Sequence, residues 1–185
     1  MKIIQTRNIL AQIDKELDGI EYISNDRNDI SLPLMDISID HAKAIIVLSE
    51  NGILSSAYAL TRPMFECFVR AVWVQYCSSE EKLKQIREND NFPRQLGVMI
   101  EAIEKQAEWL KGLSRIKKLL LNNMHSYTHG GIQLTARRFA GNNLVHLPNK
   151  DEVNALLQMV SIISFLAFTE IIKIQGQQVR ITSQK

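Results

Sequence analysis

Cysteine is scarce in this chain, with two in 185 residues, Cys67 and Cys77. They lie ten positions apart within one apolar run, so they form neither a disulfide framework nor a Cys-x-x-Cys metal or redox pair, and they read as reduced packing residues. The 8 glycines are scattered and build no Gly-rich phosphate loop of the P-loop or dinucleotide type. His-Glu-x-x-His is missing, as is the Glu-x-x-His pair of di-iron helical bundles, which removes the commonest metal reading for a helical domain. No metal and no cofactor is expected. Excess charge is missing too: a formal net charge of +2 excludes a basic face spread over the whole surface, so nucleic-acid contact would be local, as at Arg115, Lys117 and Lys118 or at Arg137 and Arg138. DNA is not specifically implied.

Long hydrophobic runs are short of what a membrane needs. The first sixteen residues, MKIIQTRNILAQIDKE, alternate apolar residues with charges and lack the core of a signal peptide. The most apolar stretch, Val153 to Thr169, contains Asn154, Gln158, Ser161 and Ser164 and falls below the roughly 20 apolar residues of a spanning helix. A soluble core helix and a cytoplasmic protein with no membrane contact are expected. No segment reads as a strand.

What is present is helical periodicity. Apolar residues at 45% and charged residues at 23% suit one globular domain, read as a bundle over residues 1–176 with a frayed tail over 177–185. The fold class expected is all-α, an up-and-down bundle of five to six helices. A first amphipathic helix covers residues 3–23. SNDRNDISLPLMD reads as a loop ending near Asp36, and a second helix runs from about Ser38 to Asn51, stopped by Asn51-Gly52. A third, apolar on nearly all faces and kinked by Pro63, fills residues 53–77. A short surface helix capped by Ser78 or Ser79, a fourth long helix over about 94–110, and a fifth over about 113–129 follow. Residues 132–148 read as a short helix and a loop, and the last helix, opened by Asn149 with Glu152, reaches Gly176.

Two polar stripes stand out. Arg62, Glu66 and Arg70 share one face of the otherwise apolar third helix, where an unpaired internal charge would cost several kcal/mol. If the second and third helices form an antiparallel hairpin, Asp40 and His41 fall near Arg62, and Asp36 falls near Glu66 and Arg70. The arginines would then be neutralised by Glu66, Asp36 and Asp40 inside the bundle as a structural network. On the fifth helix Asn122, His125 and His129 are spaced i, i+3, i+7 and share a face just before Gly130-Gly131. Arginine forks bind phosphate bidentately, and a histidine titrating near neutrality can move a proton to or from a ribose hydroxyl or leaving oxygen. Together the stripes suit a metal-independent ribonuclease or a phosphate-ligand site, with His125 or His129 as acid/base, Arg62 and Arg70 as clamps, Glu66 orienting an arginine, and Tyr127, Asn122, Arg137 and Arg138 near the substrate.

RPMFECFVR at Arg62 to Arg70 together with MHSYTHGG at Met124 to Gly131 resembles the paired signatures of a group of small bacterial helical proteins of unknown function, over roughly Asp40 to Gly131. Those proteins are in turn distantly similar to the HEPN superfamily, helical domains that often dimerise and in many members cleave RNA in defence and toxin systems. The resemblance implies a homodimer and RNA as the partner. The superfamily's motif places Arg four to six residues before His on one helix, whereas here the nearest arginine before His125 is Arg115, nine residues intervening. Arg62 or Arg70 would have to supply the guanidinium from another helix. A non-catalytic helical interaction protein is the alternative.

Overall fold

The computed structural model describes residues 3–106, 111–118, 132–135, 139–144 and 150–182. α1 (Ile3–Leu17) buries Thr6, Leu10 and Ile13. It ends earlier than the apolar pattern suggests, because Gly19 takes φ +71° and turns the chain away before Ile20.

α2 (Asn28–Glu50) corrects the sequence reading most. Residues 28–36, expected as a loop, are helical, with Pro33 inside. The Asn25 side-chain oxygen accepts the N–H groups of Arg27 and Asn28 at 3.1 and 2.9 Å, which starts the helix well before the proline. Ser31, Met35, Ser38 and Ile39 are then all fully buried in one continuous stripe. That burial outweighs the one backbone bond Pro33 withholds. The helix stops where expected: Gly52 at φ +71° lets the Ile53 N–H reach back to the Leu48 carbonyl at 2.8 Å.

The expected third helix is two. α3 (Leu54–Ala59) and α4 (Thr61–Cys77) part at Leu60, where the Thr61 hydroxyl donates to the Tyr58 carbonyl at 2.7 Å. Pro63 consequently sits in the first turn of α4, where its missing N–H is one the helix leaves unpaired anyway. α2 and α4 pack antiparallel and in the expected register. The Ser38 hydroxyl donates to the Met64 carbonyl at 2.9 Å, and the Ser31 hydroxyl to Gln75 Oε1 at 3.0 Å. At the far end Arg27 donates to the Ser78 hydroxyl and carbonyl at 3.1 and 3.0 Å and to Glu80 at 2.9 Å, closing the C-terminus of α4.

α5 (Glu80–Asn89) is capped by Ser79, which accepts the Lys82 N–H at 3.2 Å. α6 (Leu96–Gln106) buries Met99, Ile100 and Ile103 against α4. The chain restarts as α7 (112–118), whose Ser114 gives its N–H and hydroxyl to Glu104 at 2.7 and 2.6 Å. α8 (Ile132–Thr135) precedes a two-residue antiparallel ladder, β1 (Phe139–Ala140) with β2 (Asn143–Leu144), a strand pair the sequence did not announce. α9 (Lys150–Thr182) runs on through Gly176, where the apolar pattern had placed its end.

Among the described residues the fold is all-α apart from that ladder, and its helical segments outnumber the expected five or six because the third is split and the short helices α5 and α8 count beside the long ones. α2 packs on α1, α3, α4 and α9, so it shares the centre with α4. Phe65 and Phe68 from α4, Met35 and Ile39 from α2, and Val160 and Ile163 from α9 are 0% exposed. Each such side chain contributes about 1.5–3 kcal/mol of hydrophobic stabilisation. The stretch Lys150–Gly176 is long and apolar enough to cross a membrane, contrary to the expectation from Val153–Thr169 alone, and 56% of its most apolar window is buried within the fold.

Candidate functional site

α4 has no exposed residue. Its least covered side carries Arg62, Glu66 and Arg70, each half-buried, so the stripe expected from spacing lies on one face. Arg62 Nε donates to Glu66 Oε1 at 2.8 Å, one turn along the same helix, with the two side chains 33% and 28% exposed. This pair is partly solvated, and water screens much of its Coulomb energy.

Arg70 is held differently. Its guanidinium carbon lies 4.9 Å from the centre of the Phe92 ring, a cation–π contact. Phe92 reaches that position because Asp90 ends α5 at φ 50° and the Phe92 N–H then turns back onto the Asp90 carbonyl at 3.0 Å. Arg70 Nε is buried and has no hydrogen-bond partner among the described residues. The stripe thus holds two guanidinium groups and one carboxylate.

The neutralising network expected from α2 does not form. Asp40 binds Lys43 at 3.0 Å, and Lys43 also binds Asp14 of α1 at 2.9 Å. The reason is the phase of α2: Ser38, Ile39 and Ala42 occupy the buried stripe, which turns Asp36 and Asp40 towards α1 instead of α4. Crowding there has a cost. The Asp36 carboxyl is pushed above its usual value of 3.8, first by desolvation and then by Asp40, with Lys43 opposing.

Of the remaining candidates, Asn122, His125, Tyr127, His129, Arg137 and Arg138 lie outside the described residues. Cys67 and Cys77 are free, half-buried thiols. Burial raises both above 9.0, against the opposing charges of Arg70 and Arg27 respectively, which keeps them protonated and unreactive near neutrality.

A polar link that the sequence reading missed ties α4 to α9. Glu170 is 1% exposed and accepts from the Tyr76 hydroxyl and, at 2.5 Å, from Lys173 Nζ. Burial, then the hydrogen bond to Glu170, holds the Tyr76 phenol far above its usual 10.0. The signal was in the sequence: Glu170 falls in phase with Ile163, Ala167, Ile171 and Ile174 on the buried stripe of α9. Two further hydroxyls on this helix, Ser161 and Ser164, are satisfied by the carbonyls one turn back, at 3.0 and 2.8 Å. Among the described residues no group of three His, Cys, Asp or Glu side chains is placed to hold a metal ion.

The class these features define is an all-α domain built on an antiparallel α2–α4 core, with a half-open arginine stripe on α4. Residues 35–184 match the family described as Family of unknown function (DUF6988), and the chain belongs to that family. The match takes in α9 as well as the two stripes. No curated protein and no solved structure matches the chain significantly.

Proposed function

We propose that the α4 stripe is a phosphate-binding face and that the protein acts on RNA as a HEPN-like, metal-independent ribonuclease, in the manner of a toxin or defence effector. The observation that carries the reading is Arg70: a half-buried guanidinium stacked on Phe92, without a carboxylate partner among the described residues and next to an Arg62 already oriented by Glu66. A guanidinium fixed by packing but left short of acceptors is pre-organised for an anion with planar, bidentate oxygens, which a phosphodiester supplies. Aromatic Phe92 beside it offers a surface for an unstacked base.

In this reading the histidines supply the proton transfers. One takes the proton of a ribose 2′-hydroxyl as its oxygen attacks the adjacent phosphorus, and the other gives a proton to the departing 5′-oxygen, leaving a cyclic phosphate and a free 5′-hydroxyl. The four-residue spacing of His125 and His129 would set both on one face of a helix. Arg62 and Arg70 would offset charge developing on the phosphate oxygens. The spacing of Arg115 and His125 departs from the HEPN motif, which is why this assignment draws the guanidinium from α4.

Induction of wild type, His129→Ala, His125→Ala and Arg70→Ala in cells, with total RNA resolved on a gel and each melting temperature measured, tests it. Growth arrest and RNA fragments only with wild type, all proteins folded, is the expected outcome. Intact RNA in every culture, together with unchanged affinity of Arg70→Ala for a single-stranded RNA oligomer, overturns it.

A further inference from the structure

α9 presents a second surface, unrelated to the arginine stripe. Its inner side packs on α1, α2 and α4. Its outer side follows a strict alternation of four and three residues: Asp151, Ala155, Gln158, Ile162, Phe165, Thr169, Ile172 and Gly176, all exposed except the half-buried Thr169. An apolar or small residue at most of these places, on average every 3.5 positions, is the pattern of a helix that seats another helix along its length. A helix that only faces water has no reason to hold Ile162 at 43%, Phe165 at 56% and Ile172 at 36% exposure in one line. From Ala155 to Ile172 the seam is about 26 Å long at the usual helical rise. Alongside it, α1 and α9 form a groove of about 500 Å³ lined by Ile9, Ile13, Glu16, Ile162, Phe165 and Phe168.

We infer that this seam is the interface of a two-fold dimer in which α9 packs antiparallel on α9 of a second copy. The register follows from the pattern. In an antiparallel pair the alternate seam positions face each other, which sets Ile162 opposite Phe165 of the second copy at the axis, Gln158 opposite Thr169, and Ala155 opposite Ile172. A small residue then meets a large one, and a polar residue meets a polar one. The Phe165 ring of the second copy reaches the groove between α1 and α9.

Charge selects the second copy as occupant and fixes the direction. Glu152 and Lys173 flank the seam on the same side, three heptads apart. Antiparallel pairing brings Glu152 of each copy, a carboxylate that can accept further donors beside its interaction within its own chain, to Lys173 of the other, giving two symmetric ion pairs at the ends of the seam. Lys173 also binds Glu170, and its ammonium has three N–H donors to share. A parallel pairing matches neither charge with an opposite one. The antiparallel arrangement also opposes the two helix dipoles.

Sedimentation of the full chain over a concentration series, with circular dichroism as a check on folding, tests the interface. Wild type sediments as a dimer. Phe165→Glu raises the dimer dissociation constant at least roughly tenfold while the helical signal is kept, because it places two like charges at the axis. Val98→Glu, at an apolar residue 52% exposed on α6, leaves the dimer unchanged. Oxidative cross-linking tests direction independently of affinity. Gln158→Cys with Thr169→Cys in one chain gives a covalent dimer, and either substitution alone gives none. Cross-linking by Gln158→Cys alone overturns the antiparallel register. A wild type monomeric at every concentration, one that floats with phosphatidylglycerol vesicles instead, or a dimer indifferent to Phe165→Glu overturns the interface.

Discussion

α4 carries two polar sites of opposite character. Near its C-terminus Tyr76 meets Glu170, a carboxylate 1% exposed whose acceptors are filled by a phenol and an ammonium. Towards its N-terminus Arg62, Glu66 and Arg70 lie half-open, with a surplus guanidinium and a buried Nε lacking a hydrogen bond among the described residues. The first site is closed on itself and belongs to the fold. The second leaves recognition capacity unspent, and a group that is fixed but unsatisfied is what a ligand site needs before its ligand arrives.

The largest expected effect lies at the closed site. Glu170→Ala removes the acceptor of two hydrogen bonds, one from a charged donor, and strands the Tyr76 hydroxyl, so it should cost about 3 kcal/mol in a urea titration. A loss under about 1 kcal/mol would mean that the α4–α9 link is as weak as a surface pair and would erase the contrast. At the open site the effects should be on binding. Arg70→Ala is expected to lower affinity for single-stranded RNA by about tenfold, the equivalent of roughly 1.4 kcal/mol, and to flatten the salt dependence, with little change in melting temperature. Arg62→Ala should change stability by less than about 1 kcal/mol, since its ion pair is partly solvated. A loss of several kcal/mol there would make the stripe a second closed network.

The smallest effect concerns pH. Asp36 has a folded-state pKa above 3.8, so the folded protein holds its proton more tightly than the unfolded chain. Its contribution to stability is present in full at acid pH and is lost as pH rises through the raised value. Asp36→Asn should therefore be slightly more stable than wild type near neutrality and should lose that advantage as pH falls below 3.8. Equal stability of the two at neutral pH would remove the crowding inferred among Asp14, Asp36 and Asp40.

Much of this was legible in advance where one-dimensional chemistry decides structure. The Asn51-Gly52 stop, the Ser79 cap, the apolar stripes of α1, α6 and α9, and the shared face of Arg62, Glu66 and Arg70 all rest on spacing or on a backbone preference that travels with the residue. The start of α2 was not legible, because Asn, Asp, Ser and Pro favour turns locally and only burial of Ser31, Met35 and Ile39 against α4 and α9 overrides them. Glu170 was passed over although its phase on α9 marks it as buried.

By itself the sequence determined an all-helical chain, the antiparallel pairing of its second and third apolar runs, and the polar stripe on the central helix, since periodicity and helix stops follow from side chains three and four residues apart. Which acids meet which bases was decided only by the tertiary structure. The rotation of α2 carries Lys43, with Asp40 one turn before it, to Asp14 of α1 and leaves Arg70 on Phe92, and a helix's rotation is set by the fit of its whole buried face, which no local pattern contains.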